Sequence, residues 1–144
     1  MFKIVLYQPE IPPNTGNIMR LCANTGCELH LIRPLGFSIS DRQLERAGMD
    51  YRERATHTLH DDWESCMAVI GPGTRYAITT RGTTAYHQTR YAPGDILIFG
   101  PETRGLPEEK LAGFDEAHRL RIPMIAGSRS LNLSNAVAVV TYEA

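Results

Sequence analysis

Three cysteines, Cys22, Cys27 and Cys66, are too few and too irregularly spaced for a disulfide framework, and no C-x-x-C pair marks a zinc site. They read as buried thiols. No apolar run approaches the ~20 residues of a membrane span, and the N-terminus lacks a basic, apolar, small-residue leader; a cytosolic chain is expected. The glycine-rich nucleotide signatures are missing too. Where G-x-G-x-x-G would follow the first apolar run the chain has Gln8-Pro9-Glu10-Ile11-Pro12, and Gly100 to Gly105 has the Walker spacing without its lysine. The five histidines, at 30, 57, 60, 87 and 118, show no H-E-x-x-H or other ligand spacing. They read as structural or exposed, and no metal site is expected. A formal net charge of −1 excludes nucleic-acid binding by charge excess alone, although it leaves room for a local basic face.

What is present suits one domain. A chain of 144 residues with 42% hydrophobic content can bury a substantial core but not two ordinary ones. Arginine supplies 13 of the 15 basic residues, and its planar, two-pronged donor set recognises phosphate. Biased genome composition gives the same excess.

Short apolar runs alternate with helical spacing. Lys3 to Tyr7 reads as a buried strand closed by Pro9, Pro12 and Pro13. Asn14-Thr15-Gly16-Asn17 then opens a helix with Ile18, Leu21 and Cys22 on one face, ended near Gly26, so that Arg20 sits one to two turns in. Further strands are expected at Glu28–Ile32, Thr74–Thr79, Asp95–Phe99 and His118–Ile122, and further helices at Asp41–Gly48, Asp61–Ile70 and Glu108–Gly113. Arg42 and Arg46 lie four apart on the second helix, near Arg52 and Arg54. That face suits either a phosphate backbone or plain solvent. The alternation indicates an α/β domain with a mostly parallel sheet and helices on both faces, in which ligands bind beyond the carboxyl ends of the strands.

Three polar clusters fall at such ends: Asn14 to Arg20, Gly100 to Gly105, and Gly127 to Asn135. The last runs straight into Ala136 to Val140, whose β-branched residues suit a strand or a helix; helix is preferred, with Leu133, Ala136, Val137 and Val140 on one face and Asn132 or its neighbours capping. Such clusters offer close backbone approach and oriented hydrogen bonds, without redox or metal chemistry.

Asn14-Thr15-Gly16-Asn17-Ile18-Met19-Arg20, Phe99-Gly100-Pro101-Glu102-Thr103-Arg104-Gly105-Leu106-Pro107, and Ile122-Pro123-Met124 with Ser130-Leu131-Asn132-Leu133-Ser134-Asn135-Ala136-Val137 resemble, in order, the three motifs of the SPOUT RNA methyltransferases. The match covers essentially the whole chain. The opening Ile-Val-Leu-Tyr through Ile-Pro-Pro-Asn-Thr-Gly-Asn is most similar to the small tRNA (cytidine/uridine-34-2′-O)-methyltransferases. The resemblance implies one domain with a carboxyl-terminal deep trefoil knot, a homodimer, S-adenosylmethionine bound in the knot, and the tRNA anticodon stem-loop as partner. It also implies a final helix beyond Ala144 that helps form the dimer, so a chain ending there is expected to dimerise less tightly. Members acting on another RNA, or retaining the fold as a non-catalytic RNA-binding module, are the alternatives.

Carried over by residue, Ile78, Gly100, Ile122 and Ser130, with Met124 and Leu131 as neighbours, match positions that hold the methyl donor. Asn14, Arg20, Glu102 and Asn132 match the polar positions that orient the ribose or assist its 2′-hydroxyl. The plainer readings are helix capping for Asn14 and Asn132, and a structural pairing with Arg104 for Glu102. The implied reaction is an in-line displacement aided by alignment in a water-poor site. A guanidinium rarely gives up its proton, so an electrostatic and positioning role for Arg20 is expected over that of a base.

Overall fold

Ile96–Phe99 is buried along its whole length, and the rest of the sheet is built outward from it. In the computed structural model, residues 1–38, 57–126 and 131–144 are described. The expected helix at Asp41–Gly48, with Arg42, Arg46, Arg52 and Arg54, lies outside them, as do residues 127–130. Seven strands are present among the described residues: β1 (Lys3–Tyr7), β2 (Glu28–Ile32), β3 (His57–His60), β4 (Arg75–Ile78), β5 (Thr84–Ala85), β6 (Ile96–Phe99) and β7 (Arg119–Arg121). They form one sheet in the order β3-β2-β1-β6-β4-β7-β5, and every pairing is parallel. The expected α/β class is therefore observed.

The register draws one row of side chains across all seven strands: Leu59, Leu31, Leu6, Phe99, Ile78, Leu120 and Thr84. Because side chains alternate along a strand, this row and its neighbours divide the core into two faces. On one face Ile4, Leu6, Leu97 and Phe99 pack with Ile18, Met19 and Cys22 of helix α1 (Pro12–Thr25) and with Leu133, Val137 and Val140 of helix α4 (Leu133–Glu143). On the other, Val5, Ile96 and Ile98 pack with Cys66 of helix α2 (Trp63–Val69) and Leu111 of the short helix α3 (Glu108–Leu111). Each fully buried aliphatic side chain contributes roughly 1.5–3 kcal/mol, which is why the central strands are apolar throughout instead of alternating. No helix among the described residues is long and apolar enough to cross a membrane.

Several boundaries differ from the sequence reading for physical reasons. α1 starts at Pro12, not Asn14, with Ile11 as its N-cap and prolines in the first two positions. Proline's fixed φ suits a first turn, and its missing N–H removes a donor that would otherwise need a partner. Asn14 is therefore not the cap. Gly26 ends α1 as expected, at φ +78 with its N–H donated to Cys22 O. The Ala136 to Val140 stretch is helical, capped by Asn132, whose side chain accepts from Asn135 N. Leu133, Val137, Val140 and Thr141 form its buried face, while Ala136 is only half-buried. β3 and β5 were not expected, the first because His-Thr-Leu-His is short and half polar, the second because two residues carry no period.

Candidate active site

The carboxyl ends of β1, β6 and β4 are level, since Leu6 pairs with Phe99 and Phe99 with Ile78. The loops leaving β1 and β6 are thereby neighbours, and they exchange glutamates. Glu102 accepts from Glu10 N at 2.7 Å through Oε1 and from Ile11 N at 2.9 Å through Oε2. In return, Glu10 Oε1 accepts from Thr103 N at 2.9 Å and Thr103 Oγ1 at 2.8 Å. Those two Thr103 bonds, backbone first, hold the Glu10 carboxyl below its ordinary value; burial opposes the shift, and the Arg104 charge adds to it. Arg104 lies 3.7 Å from Glu10 Oε2 and donates to Gln8 Oε1 at 3.2 Å. Gln8 has φ +50, an uncommon conformation for a residue with a side chain, and its N–H is tied to Ile32 O at 2.9 Å. The plainer reading of Glu102 as the partner of Arg104 is thus corrected: Arg104 pairs with Glu10, and Glu102 binds backbone. A carboxylate there also meets the positive end of α1, whose N-cap Ile11 has no side-chain acceptor of its own.

From Glu102 a line of side chains crosses to α4. Asn14 is 5% exposed. Its Nδ2 donates to Glu102 Oε2 at 3.2 Å, and its Oδ1 accepts from Asn132 Nδ2 at 3.0 Å. Asn132 Oδ1 is shared between Ser134 Oγ at 2.6 Å and Asn135 N at 3.3 Å. Three of the four expected polar residues, separated by about ninety and thirty positions, thus form one connected line. Asn132 meets the capping reading, since one end of its amide caps α4, while the other end reaches Asn14.

Beside this line lies a cavity with apolar walls and polar edges. Ile78 and Phe99 from the strand ends, Ile122 and Met124 after β7, and Leu131 and Leu133 at the start of α4 supply its walls. Residues 100–106 and 79–81 form its edges and bring the polar groups. Five of the six residues expected to hold a cofactor, Ile78, Gly100, Ile122, Met124 and Leu131, meet here, and Ser130 lies outside the described residues. Glycine at position 100 is also required by the loop itself. A Cβ there would lie 2.2 Å from Leu106 N and 2.4 Å from Gly105 C, so the loop's closure on itself, before any ligand arrives, forbids a side chain.

Arg20 is not part of this lining. It is exposed on α1, six residues beyond Asn14, or roughly 9 Å along the axis at 1.5 Å per residue. Sequence reasoning also missed Glu10, Thr103, Phe99, Leu133 and Ala136 as site components. Phe99, Thr103, Leu133 and Ala136 stood inside quoted motifs and carried a signal; Glu10 stood outside them, and its bond to Thr103 spans 93 positions. Chemically, apolar walls edged by polar groups suit a flat heteroaromatic ring, and the adjoining amides and carboxylate suit a hydroxylated group placed next to it.

Residues 1–142 match the SpoU rRNA Methylase family. A tRNA (cytidine(34)-2′-O)-methyltransferase of Methylovorus glucosotrophus is 57% identical, the match covering 100% of this chain and 94% of that protein. The Escherichia coli K12 protein of the same description is 54% identical, with 100% and 92% covered. A solved structure concerned with 2-OH methylation of C/U34 on tRNA superposes with a TM-score of 0.91 at 49% identity, over 99% of this chain and 93% of that one.

Proposed function

Because this chain belongs to the SpoU methylase family, we propose that it transfers a methyl group from S-adenosylmethionine to the ribose 2′-hydroxyl of the wobble nucleotide, position 34, in the tRNA anticodon loop. The observation that carries the reading is the line Glu102–Asn14–Asn132 running beside the cavity at the strand ends. Full-length relatives at more than half identity, described as tRNA (cytidine(34)-2′-O)-methyltransferases, support the substrate.

The donor set fits S-adenosylmethionine. Ile78, Ile122 and Leu131 offer an apolar slot and residues 100–106 offer polar edges; Met124, Gly100 and, from the family resemblance, Ser130 complete the proposed binding set. When bound, the cofactor supplies a methyl group on a positively charged sulfur, open to in-line attack by an oxygen.

This chain's residues align and stabilise. Asn14 and Asn132 orient the ribose, their amides held in place by one another. Glu102, whose oxygens accept from two backbone N–H groups and Asn14, is the group that fixes Asn14 and the entry to α1; that occupancy favours positioning over proton abstraction. The 2′-hydroxyl proton passes to an RNA phosphate or to solvent, and Arg20 stabilises the negative charge left on the 2′-oxygen. Since it lies outside the cavity of its own chain, it acts once RNA or a second copy of the chain brings the ribose to it.

A homodimer and a carboxyl-terminal trefoil knot belong to the same reading. Exposed Ile11, Val139 and Tyr142, at 40%, 38% and 70%, support an apolar contact between copies. A cytosolic setting follows from the tRNA substrate. The deciding experiment is incubation with bulk tRNA and S-adenosylmethionine, followed by mapping of the modified nucleotide. A 2′-O-methyl group at position 34 is expected, and methylation confined to another position or another RNA overturns the assignment.

A further inference from the structure

On the face of the sheet opposite α1 and α4, three buried side chains that methyl transfer does not use point at one another. His30 on β2, His60 on β3 and Cys66 on α2 are 7%, 6% and 0% exposed, and their donor atoms all lie within 4.8 Å of one another. His30 Nδ1 and His60 Nε2 are 2.9 Å apart, a separation at which one ring must offer a lone pair to the other's N–H. Glu28 Oε1 lies 3.2 Å from His30 Nε2, which places the His30 proton on that nitrogen and turns the Nδ1 lone pair into the cluster. A carboxylate behind a histidine is the usual support of a metal-ligating ring.

We propose that His30, His60 and Cys66 bind one thiophilic closed-shell cation, Cu(I) or Zn(II), with Glu28 orienting His30. The cation takes the place of the proton now lying between the two rings. His60 moves that proton to its Nδ1, and the Cys66 thiol releases one proton to solvent on becoming a thiolate ligand. Bonds of about 2.0–2.1 Å to nitrogen require the two nitrogens to separate by roughly half an ångström, within reach of small ring rotations. Two imidazoles and a thiolate form a borderline-to-soft set that favours these ions over Mg(II) or Ca(II). Occupation would fasten β2, β3 and α2 together at the edge of the sheet.

Purified, untagged protein is titrated with Cu(I) against bicinchoninate under anaerobic conditions, and separately with Co(II) as the spectroscopic probe for zinc. One equivalent is expected in at least one arm, and the arm that binds names the ion. In the Co(II) arm a thiolate charge-transfer band is expected. Cys66→Ala and Cys66→Ser should each lose that band and weaken binding on the order of a hundredfold, and Glu28→Gln should weaken it by roughly tenfold. Circular dichroism confirms that each variant is folded, and the two Cys66 replacements guard against one failing to fold. No binding in either arm, or binding unchanged in the folded Cys66 variants, overturns the proposal.

Discussion

The two helices that share one face of the sheet begin in opposite ways. α4 is capped by its own Asn132, three positions from the N–H it serves. α1 has no side-chain cap, and the N–H groups around its N-cap are received by Glu102, 92 and 91 positions away. A locally capped end stands by itself, whereas a remotely capped one is only as sound as the loop that reaches it. The difference frees Asn14 from capping, and that is how its amide comes to join Glu102 to Asn132.

The strongest way to break the contrast is at the root of the remote loop. Gly100→Ala puts a Cβ against Leu106 N, so residues 100–106 must open and take Glu102 with them. A loss of ~3 kcal/mol or more in urea unfolding is expected, together with loss of S-adenosylmethionine binding by calorimetry. Parental values for both would mean that the loop closes around a side chain and that the remote cap is more robust than drawn.

Arg20 probes the remotely capped helix without touching its cap. Single-turnover methylation at saturating tRNA and cofactor should fall on the order of a hundredfold in Arg20→Ala, with cofactor affinity near parental. Arg20→Lys should rescue little, because a point charge does not replace a planar fork. A parental rate for the alanine variant would remove Arg20 from the chemistry.

The caps themselves can then be compared directly. Glu102→Gln exchanges a charged acceptor of backbone N–H groups for a neutral amide and should cost about 2 kcal/mol. Asn132→Ala removes a local cap and should cost about 1 kcal/mol. Chemical denaturation of both variants decides the order, and an equal or reversed ranking would undo the distinction between the two helix starts.

The smallest effect is in acid. The Thr103 bonds and the Arg104 charge lower the folded-state pKa of Glu10 below its unfolded value. Its contribution to stability is therefore fully present above the ordinary carboxylate value and is lost as the pH falls through the lowered one. Glu10→Gln should flatten the acid limb of the stability curve slightly, while Asn132→Ala, with nothing to titrate, should shift the curve without changing its slope. An unchanged acid limb in Glu10→Gln would show that the glutamate exchange is not part of the pH response.

Local pattern explains which parts were legible beforehand. β1 and β6 are apolar runs closed by proline or glycine, and α4 begins with a polar cap before an apolar stripe, so their places could be read from neighbours in sequence. The start of α1 was placed two residues late, because Asn14 was read as opening the helix where Pro12 and Pro13 already form its first turn. Five residues of the cavity were foreseen, but not the crowding of Gly100 by its own loop, which depends on how residues 100–106 fold back. His30, His60 and Cys66 sit at spacings that match no ligand motif, and only the pairing of β2 with β3 beneath α2 brings them together.

The strand order also bears on how the chain assembles as it leaves the ribosome. β1, β2 and β3 pair consecutively and can form as soon as residue 60 has emerged. β4 emerges next with no partner in place, because both its neighbours, β6 and β7, come later in the chain. β6 then enters between β1 and β4 and completes the centre of the sheet in one step. A nascent chain halted before residue 96 is thus expected to hold a three-stranded amino half with β4 and β5 unpaired. Release of the next few residues converts it into a continuous sheet and, with the same movement, brings the 100–106 loop up to the waiting N–H groups of Glu10 and Ile11.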